Sequence, residues 1–175
     1  MKKLLAMVLA LCLMTGCALA AEYTWADIAG QRAELVADGG TWTLNAGPVK
    51  LWLPKAMDYI EPSQEDQEES HLVASFFNAD GTNAVFVQYN DTTYASTQDI
   101  LDALNAKDIY HDISEATING YNVVCYSTSD DQGTTVYAMY LLGDGYAMQI
   151  QLRGMENDME TVSTILTSLR PADQD

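Results

Sequence analysis

Residues 134–153 read TTVYAMYLLGDGYAMQIQLR, two apolar runs joined by Gly143, Asp144 and Gly145. In the second run Tyr146, Met148, Ile150 and Leu152 alternate with Ala147, Gln149, Gln151 and Arg153. That is the period of a strand with one buried and one wetter face. In the first run Val136, Ala138, Tyr140 and Leu142 share one face, and Tyr137, Met139 and Leu141 share the other. Both faces are apolar, so this strand is predicted mid-sheet, covered on both sides. The glycines flanking Asp144 supply the positive-φ positions of a tight connection. The stretch therefore predicts a β-hairpin at the centre of a sheet.

Working outward, Asn119-Gly120 joins two further strands, residues 109–115 and 121–127, the second alternating Tyr121, Val123 and Cys125 with Asn122, Val124 and Tyr126. Residues 72–77 and 84–89 flank a polar loop with Asp80-Gly81 at its middle, a second upstream hairpin. Between these pairs, Ser96 with Asp99 opens a helix to about residue 106, with Ile100, Leu101 and Leu104 inward. Residues 41–44 and 49–53 read as short strands, the second stopped by Pro54. Thr24 with Asp27 caps an amphipathic helix over residues 25–37, with Gly39 as its stop. Residues 61–69 carry five acids among nine and read as a solvated helical turn or loop. Downstream, Met159, Val162, Ile165, Leu166 and Leu169 lie at helical spacing up to Pro171. This last helix is expected on the face of Tyr146, Met148, Ile150 and Leu152. Hairpins with helices between them predict an α+β fold, a mainly antiparallel sheet with helices packed on its faces, and not a doubly wound parallel sheet.

The first twenty residues have a basic start, Lys2 and Lys3, then a short apolar run and a small-residue end. That is the pattern of a secretory signal and is too short for a membrane span. Two processing sites compete. Ala18-Leu19-Ala20 fits cleavage before Ala21, while Leu13-Met14-Thr15-Gly16-Cys17 resembles a lipobox with lipidation on Cys17, Met14 standing where that motif prefers Leu. Residues 21–175 then form a single domain in an extracytoplasmic compartment, secreted or anchored to the outer face of a bacterial membrane. Without Lys2 and Lys3 the chain has six basic residues against 25 acidic ones, a net charge of −19. Nucleic acid and bare anionic membrane are repelled by such a surface, which leaves a lipid on Cys17 as the only route to a membrane. Cys125 is the one cysteine outside the signal region, so no internal disulfide forms.

Several stretches together carry a family resemblance: VKLWLP at 49–54, the Ser-x-x-Asp helix start at 96–99, TINGY at 117–121, YAMYLLGDGYAMQIQL at 137–152 and ILTSLRP at 165–171. This arrangement, spanning about residues 44–171, resembles the small extracytoplasmic domains of the Mog1/PsbP-like and DcrB-like type. The resemblance implies an antiparallel sheet between helices and a binding or accessory role. It assigns no residue a role, and the helix at 25–37 and the acidic segment lie outside its pattern.

No catalytic constellation outweighs its simpler explanation. Cys125 with His71 or His111 has the atoms of a nucleophile and base, yet its place in the strand alternation fits a small core residue. His71 and His111 with Glu68, Glu69, Asp108 and Asp112 match no helical two-histidine or cysteine-based metal spacing. Residues 78–83, 130–133 and 143–145 lack the ligand order of a calcium loop. The acid pairs Asp130-Asp131 and Glu68-Glu69 lie on polar turns, and neither a nucleophile elbow nor a phosphate or dinucleotide loop is present. The expectation is a non-enzymatic binding or accessory domain without metal or cofactor, its ligand left open and a protein or peptide its candidate partner. The alternative is a small hydrolase or redox enzyme using Cys125 or a histidine-carboxylate site. Ten tyrosines and three tryptophans direct attention to aromatic surfaces. Trp52, on the polar side of its strand beside Lys50, is the candidate partner-binding residue. Tyr126 and Tyr137 are weighed for the same groove, with Tyr137 favoured as core.

Overall fold

A computed structural model describes residues 21–44 and 47–174. In chain order the elements are β1 (Ala21–Tyr23), α1 (Trp25–Gln31), α2 (Ala33–Ala37), β2 (Gly39–Thr43), β3 (Val49–Pro54), β4 (Met57–Ile60), α3 (Gln64–Ser70), β5 (Leu72–Asn78) and β6 (Ala84–Asp91). They continue with α4 (Thr97–Asn105), β7 (His111–Ile118), β8 (Tyr121–Ser129), β9 (Thr135–Leu142), β10 (Tyr146–Arg153), α5 (Met159–Thr167) and β11 (Arg170–Pro171). Eight strands form one sheet in the order β1-β7-β8-β9-β10-β6-β5-β4, and three form a second in the order β11-β3-β2. Every pairing is antiparallel except β1 with β7. The fold is the expected α+β.

The hairpin of β9 and β10 occupies the two middle positions of the large sheet. Its turn closes through the Gly143 N–H donating to the Tyr146 carbonyl at 2.8 Å, with Gly145 at φ 77. Gly143 is needed for a separate reason: a Cβ there would lie 2.1 Å from the Tyr146 ring. On one face Met139 and Leu141 of β9 and Met148, Ile150 and Leu152 of β10 join Val162, Ile165 and Leu169 in one core, together with Leu51, Trp52 and Leu53 of β3. The small sheet and α5 thus form the covering layer. Burying each such aliphatic chain is worth about 1.5–3 kcal/mol. On the opposite face Val124, Tyr126 and Ala138 lie under Ile100 and Leu104 of α4. β9 is covered on both sides, as its doubly apolar pattern requires. The expected docking of α5 holds for Met148, Ile150 and Leu152, while Tyr146 instead stacks on Tyr89 at 4.4 Å between ring centroids.

Several expectations need correction. The helix read over residues 25–37 is two helices, broken at Arg32 (φ −123). The guanidinium is pulled to α5, donating to Ser163 Oγ at 2.8 Å, Thr164 Oγ1 at 2.6 Å and the Glu160 carbonyl at 3.1 Å. Gly39 does not end that helix; Asp38 does, and Gly39 begins β2, where a Cβ would meet the Trp52 ring at 2.4 Å. Strands β1, β4 and β11 were not anticipated, being only three, four and two residues long. Too short to show a period, they depend on their partners for pairing. The acidic segment contains α3, opened by a reciprocal capping box between Ser63 and Asp66 and ended by His71 at φ 52. Every residue of α3 is exposed, so it stands on its caps, worth about 1 kcal/mol each, and not on core packing.

Candidate functional site

Trp52 is not a surface residue. It is 2% exposed, its indole Nε1–H donates to the Val36 carbonyl at 3.0 Å, and its backbone N–H donates to Ser168 Oγ at 2.8 Å. β3 is the middle strand of its sheet, with the large core on one side and α2 against the other, so both of its faces are covered. The alternation of Lys50 and Trp52 against Val49, Leu51 and Leu53 marks two faces but cannot say that both are buried. Tyr126 is also buried, its hydroxyl taking a hydrogen bond from Gln149 Nε2 and its ring stacking on Tyr140. Burial, and then the neighbouring Tyr140, push its hydroxyl pKa upward. Tyr137 packs against the main core as a half-buried residue, in line with the core reading. Tyr126 and Tyr137 contribute to the wall of a small cavity beneath α5, and Trp52 does not.

The exposed aromatic surface lies one strand away. Trp42 on β2 is 41% exposed and stacks on Tyr59 of β4, 43% exposed, with centroids 6.0 Å apart and planes at 27°. Both rings rest on Phe76 of β5, at 5.2 and 5.5 Å, and Phe76 is almost completely buried. Ile60, next to Tyr59, is 52% exposed. β2 ends one sheet and β4 ends the other, so the surface forms where two terminal strands meet over a shared core ring. Asp58 and Glu61 are exposed on either side of the Tyr59-Ile60 pair, and α3 follows directly with Glu65, Asp66, Glu68 and Glu69. The arrangement has the makings of a recognition surface: rigid, amphipathic rings on a packed base with a charged rim. Sequence reasoning missed it because residues 57–60 carry no periodic signal and because contact between Trp42 and Tyr59 is tertiary.

A second feature lies beneath α5, a cavity of about 60 Å³ whose walls include Cys125, Tyr137, Met159, Val162 and Leu166. Ser114 also lines it, and its buried Oγ has no hydrogen-bond partner. Asp112, at φ 53 within an irregularity of β7, also lines the cavity and accepts a hydrogen bond from Ser127 Oγ at 2.8 Å. Cys125 is half-buried, forms no disulfide, and shares this wall with no histidine. His71 precedes β5, four strand positions from the β8 that carries Cys125, or about 19 Å at about 4.8 Å per step. The same count puts β7, with His111, about 24 Å from β5. Neither the histidine pair nor Cys125 with His71 is brought together. Among the described residues no three His, Cys, Asp or Glu side chains converge as a metal site, and no helix is long and apolar enough to cross a membrane. Cys17 and the rest of residues 1–20 lie outside the described residues.

Neither protein-family models nor curated proteins match this sequence. Among solved structures it is similar to the cyanobacterial PsbP (CyanoP) of Synechocystis sp. PCC 6803, with a TM-score of 0.53 over 78% of this chain and 94% of that one, at 10% identity. The fold is PsbP-like. LpqN, a protein involved in cell envelope biogenesis of Mycobacterium tuberculosis, aligns at 15% identity over 79% of this chain and 95% of its own, with a TM-score of 0.47. The PsbP-like fold agrees with the resemblance drawn from the sequence motifs, and at this identity the likeness extends to fold alone. Within the PsbP-like sheet the central hairpin is scaffold, and the exposed rings gather at the β4 end.

Proposed function

We propose that this chain is a non-enzymatic binding or accessory domain working outside the cytoplasm, secreted or held to the outer face of a bacterial membrane through Cys17, and that it engages a protein or peptide partner through Trp42, Tyr59 and Ile60. The observation that carries the reading is the stacked pair of half-exposed rings on Phe76. Large aromatic side chains held by a packed base lose little freedom on binding, which is why such residues dominate binding energies. The signal-like residues 1–20 and the acidic surface support the compartment and argue against nucleic acid. The reading requires no metal or cofactor.

Site-specific photocrosslinking in the native host tests it. A photoreactive residue at Tyr59 should give a discrete adduct, while one at Ile109, more exposed but outside the patch, should give none. Equal labelling at the two positions, or none at Tyr59, would remove the patch as the binding surface. Intact mass of the mature protein, beginning at Ala21 or at a lipidated Cys17, decides the mode of export.

A further inference from the structure

We infer that the partner presents an extended basic segment, which adds to the open edge of β4 as a further strand beside Trp42. This rests on the binding reading above and names the chemistry of its ligand. Among the described residues β4 pairs only with β5 and closes the strand order, so its outer side offers main-chain donors and acceptors with no described strand opposite. Natural sheets blunt such edges with short strands, charged side chains, proline, bulges or a covering loop. β4 uses the first two, being four residues long and carrying Asp58, a charge that repels an acidic strand and admits a basic one. β4 reads Met57-Asp58-Tyr59-Ile60, with neither proline nor lysine, and its register with β5 is unbroken. Successive residues of a strand point to opposite faces, so Tyr59 and Ile60 would flank an added strand on both sides. Main-chain pairing would supply affinity, and contacts of alternate side chains would supply selectivity.

Charge decides which segment. Asp58 and Glu61 border the edge, and α3 brings Glu65, Asp66, Glu68 and Glu69, all exposed, with Lys55 the one cation between Pro54 and His71. The wider field is also negative, with 25 acidic residues against six basic ones beyond Lys3, and all three arginines are engaged within the domain. Arg32 donates to α5, Arg153 pairs with Asp130, and Arg170 is buried with its guanidinium 4.8 Å from the centre of the Trp25 ring. A segment alternating Lys or Arg with apolar residues is steered to this edge, and its cations can sit over the Trp42 and Tyr59 faces. A second copy of the chain fits poorly, since edge-to-edge pairing would bring two α3 acid runs together.

The test pans a display library of random dodecapeptides on residues 21–175 and measures synthetic versions of the enriched sequences by calorimetry. The expected peptides alternate apolar residues with Lys or Arg. They should lose roughly tenfold or more in affinity with Trp42→Ala, and a similar factor with the doubly reversed Asp58→Lys/Glu61→Lys, which leaves the aromatic base intact. Their binding should weaken with added salt and vanish when the peptide's own amides are N-methylated at alternate positions, a control that leaves the protein unaltered. Neutral or acidic peptides that still depend on Trp42 would overturn the basic-segment inference and leave the binding surface standing. Peptides indifferent to Trp42→Ala, no enrichment, or self-association through β4 would each overturn the inference, and the Tyr59 crosslink decides the parent reading independently.

Discussion

Exchanging the two neighbouring tryptophans separates scaffold from surface. Trp52 is 2% exposed and makes two structural connections, ring burial in the main core and the indole N–H bond to Val36. Val36 lies in the last turn of α2, whose carbonyls lack helical partners, so the indole acts as a cap contributed from another strand. Trp52→Ala removes both, and large-to-small replacement of a buried aromatic costs about 3–5 kcal/mol. Trp52→Phe keeps much of the ring and deletes the donor, leaving a carbonyl short of its partner at about 1–3 kcal/mol. Trp42→Ala removes a half-exposed ring, and its expected cost is about 1 kcal/mol, within the usual range for such substitutions. Urea unfolding resolves these, since an m-value of about 2 kcal/mol per molar turns a 4 kcal/mol loss into a midpoint shift of about 2 M. The expected order of destabilisation is Trp52→Ala, then Trp52→Phe, then Trp42→Ala, with unchanged m. A Trp52→Ala midpoint within 0.5 M of wild type, on the order of 1 kcal/mol, or a larger loss from Trp42→Ala, would refute the assignment of core and surface.

Gly143→Ala places a methyl 2.1 Å from the Tyr146 ring and displaces it from Tyr89, so the central hairpin should lose about 1–3 kcal/mol, read as a lowered melting temperature. Asp130 is held below the usual carboxylate range by its hydrogen bond from Arg153, 2.5 Å away, and by the Thr134 and Gln132 amides. Its folded pKa therefore lies under the unfolded value of about 3.9, and its contribution is fully present above that value and lost as pH falls through the folded pKa. Asp130→Asn should be less stable than wild type at pH 7, with the gap narrowing as pH falls below about 4; a gap that does not narrow at all below that pH would count against the ion pair as its source.

What was legible in the sequence was local. Asn119-Gly120, Gly143-Asp144-Gly145 and the alternations around them specify two hairpins without reference to the rest of the chain, and the capping residues Ser96 and Ser63 specify helix starts in the same way. The fate of a strand's second face is not local. Trp42 is flanked by Thr41 and Thr43 and Trp52 by Leu51 and Leu53, yet neither short pattern says whether the face that carries the tryptophan is covered. Their ranks do: β3 stands between β11 and β2, while β2 is terminal, with residues 40–43 exposed. That rank is set by β11, two residues near the chain's end that pair Arg170 with Lys50. The fate of a tryptophan at position 52 is thus determined in part by a bridge formed 118 residues later, a separation no periodicity window spans. The same reasoning explains why the candidate surface was invisible beforehand. Tyr59 joins the exposed aromatic surface because β4, too short for a pattern, pairs with β5 and so comes beside a ring from another sheet. In this fold the strongly patterned middle of the sheet builds the scaffold, and the weakly patterned ends, free of the need to be buried on both faces, are where recognition can be placed.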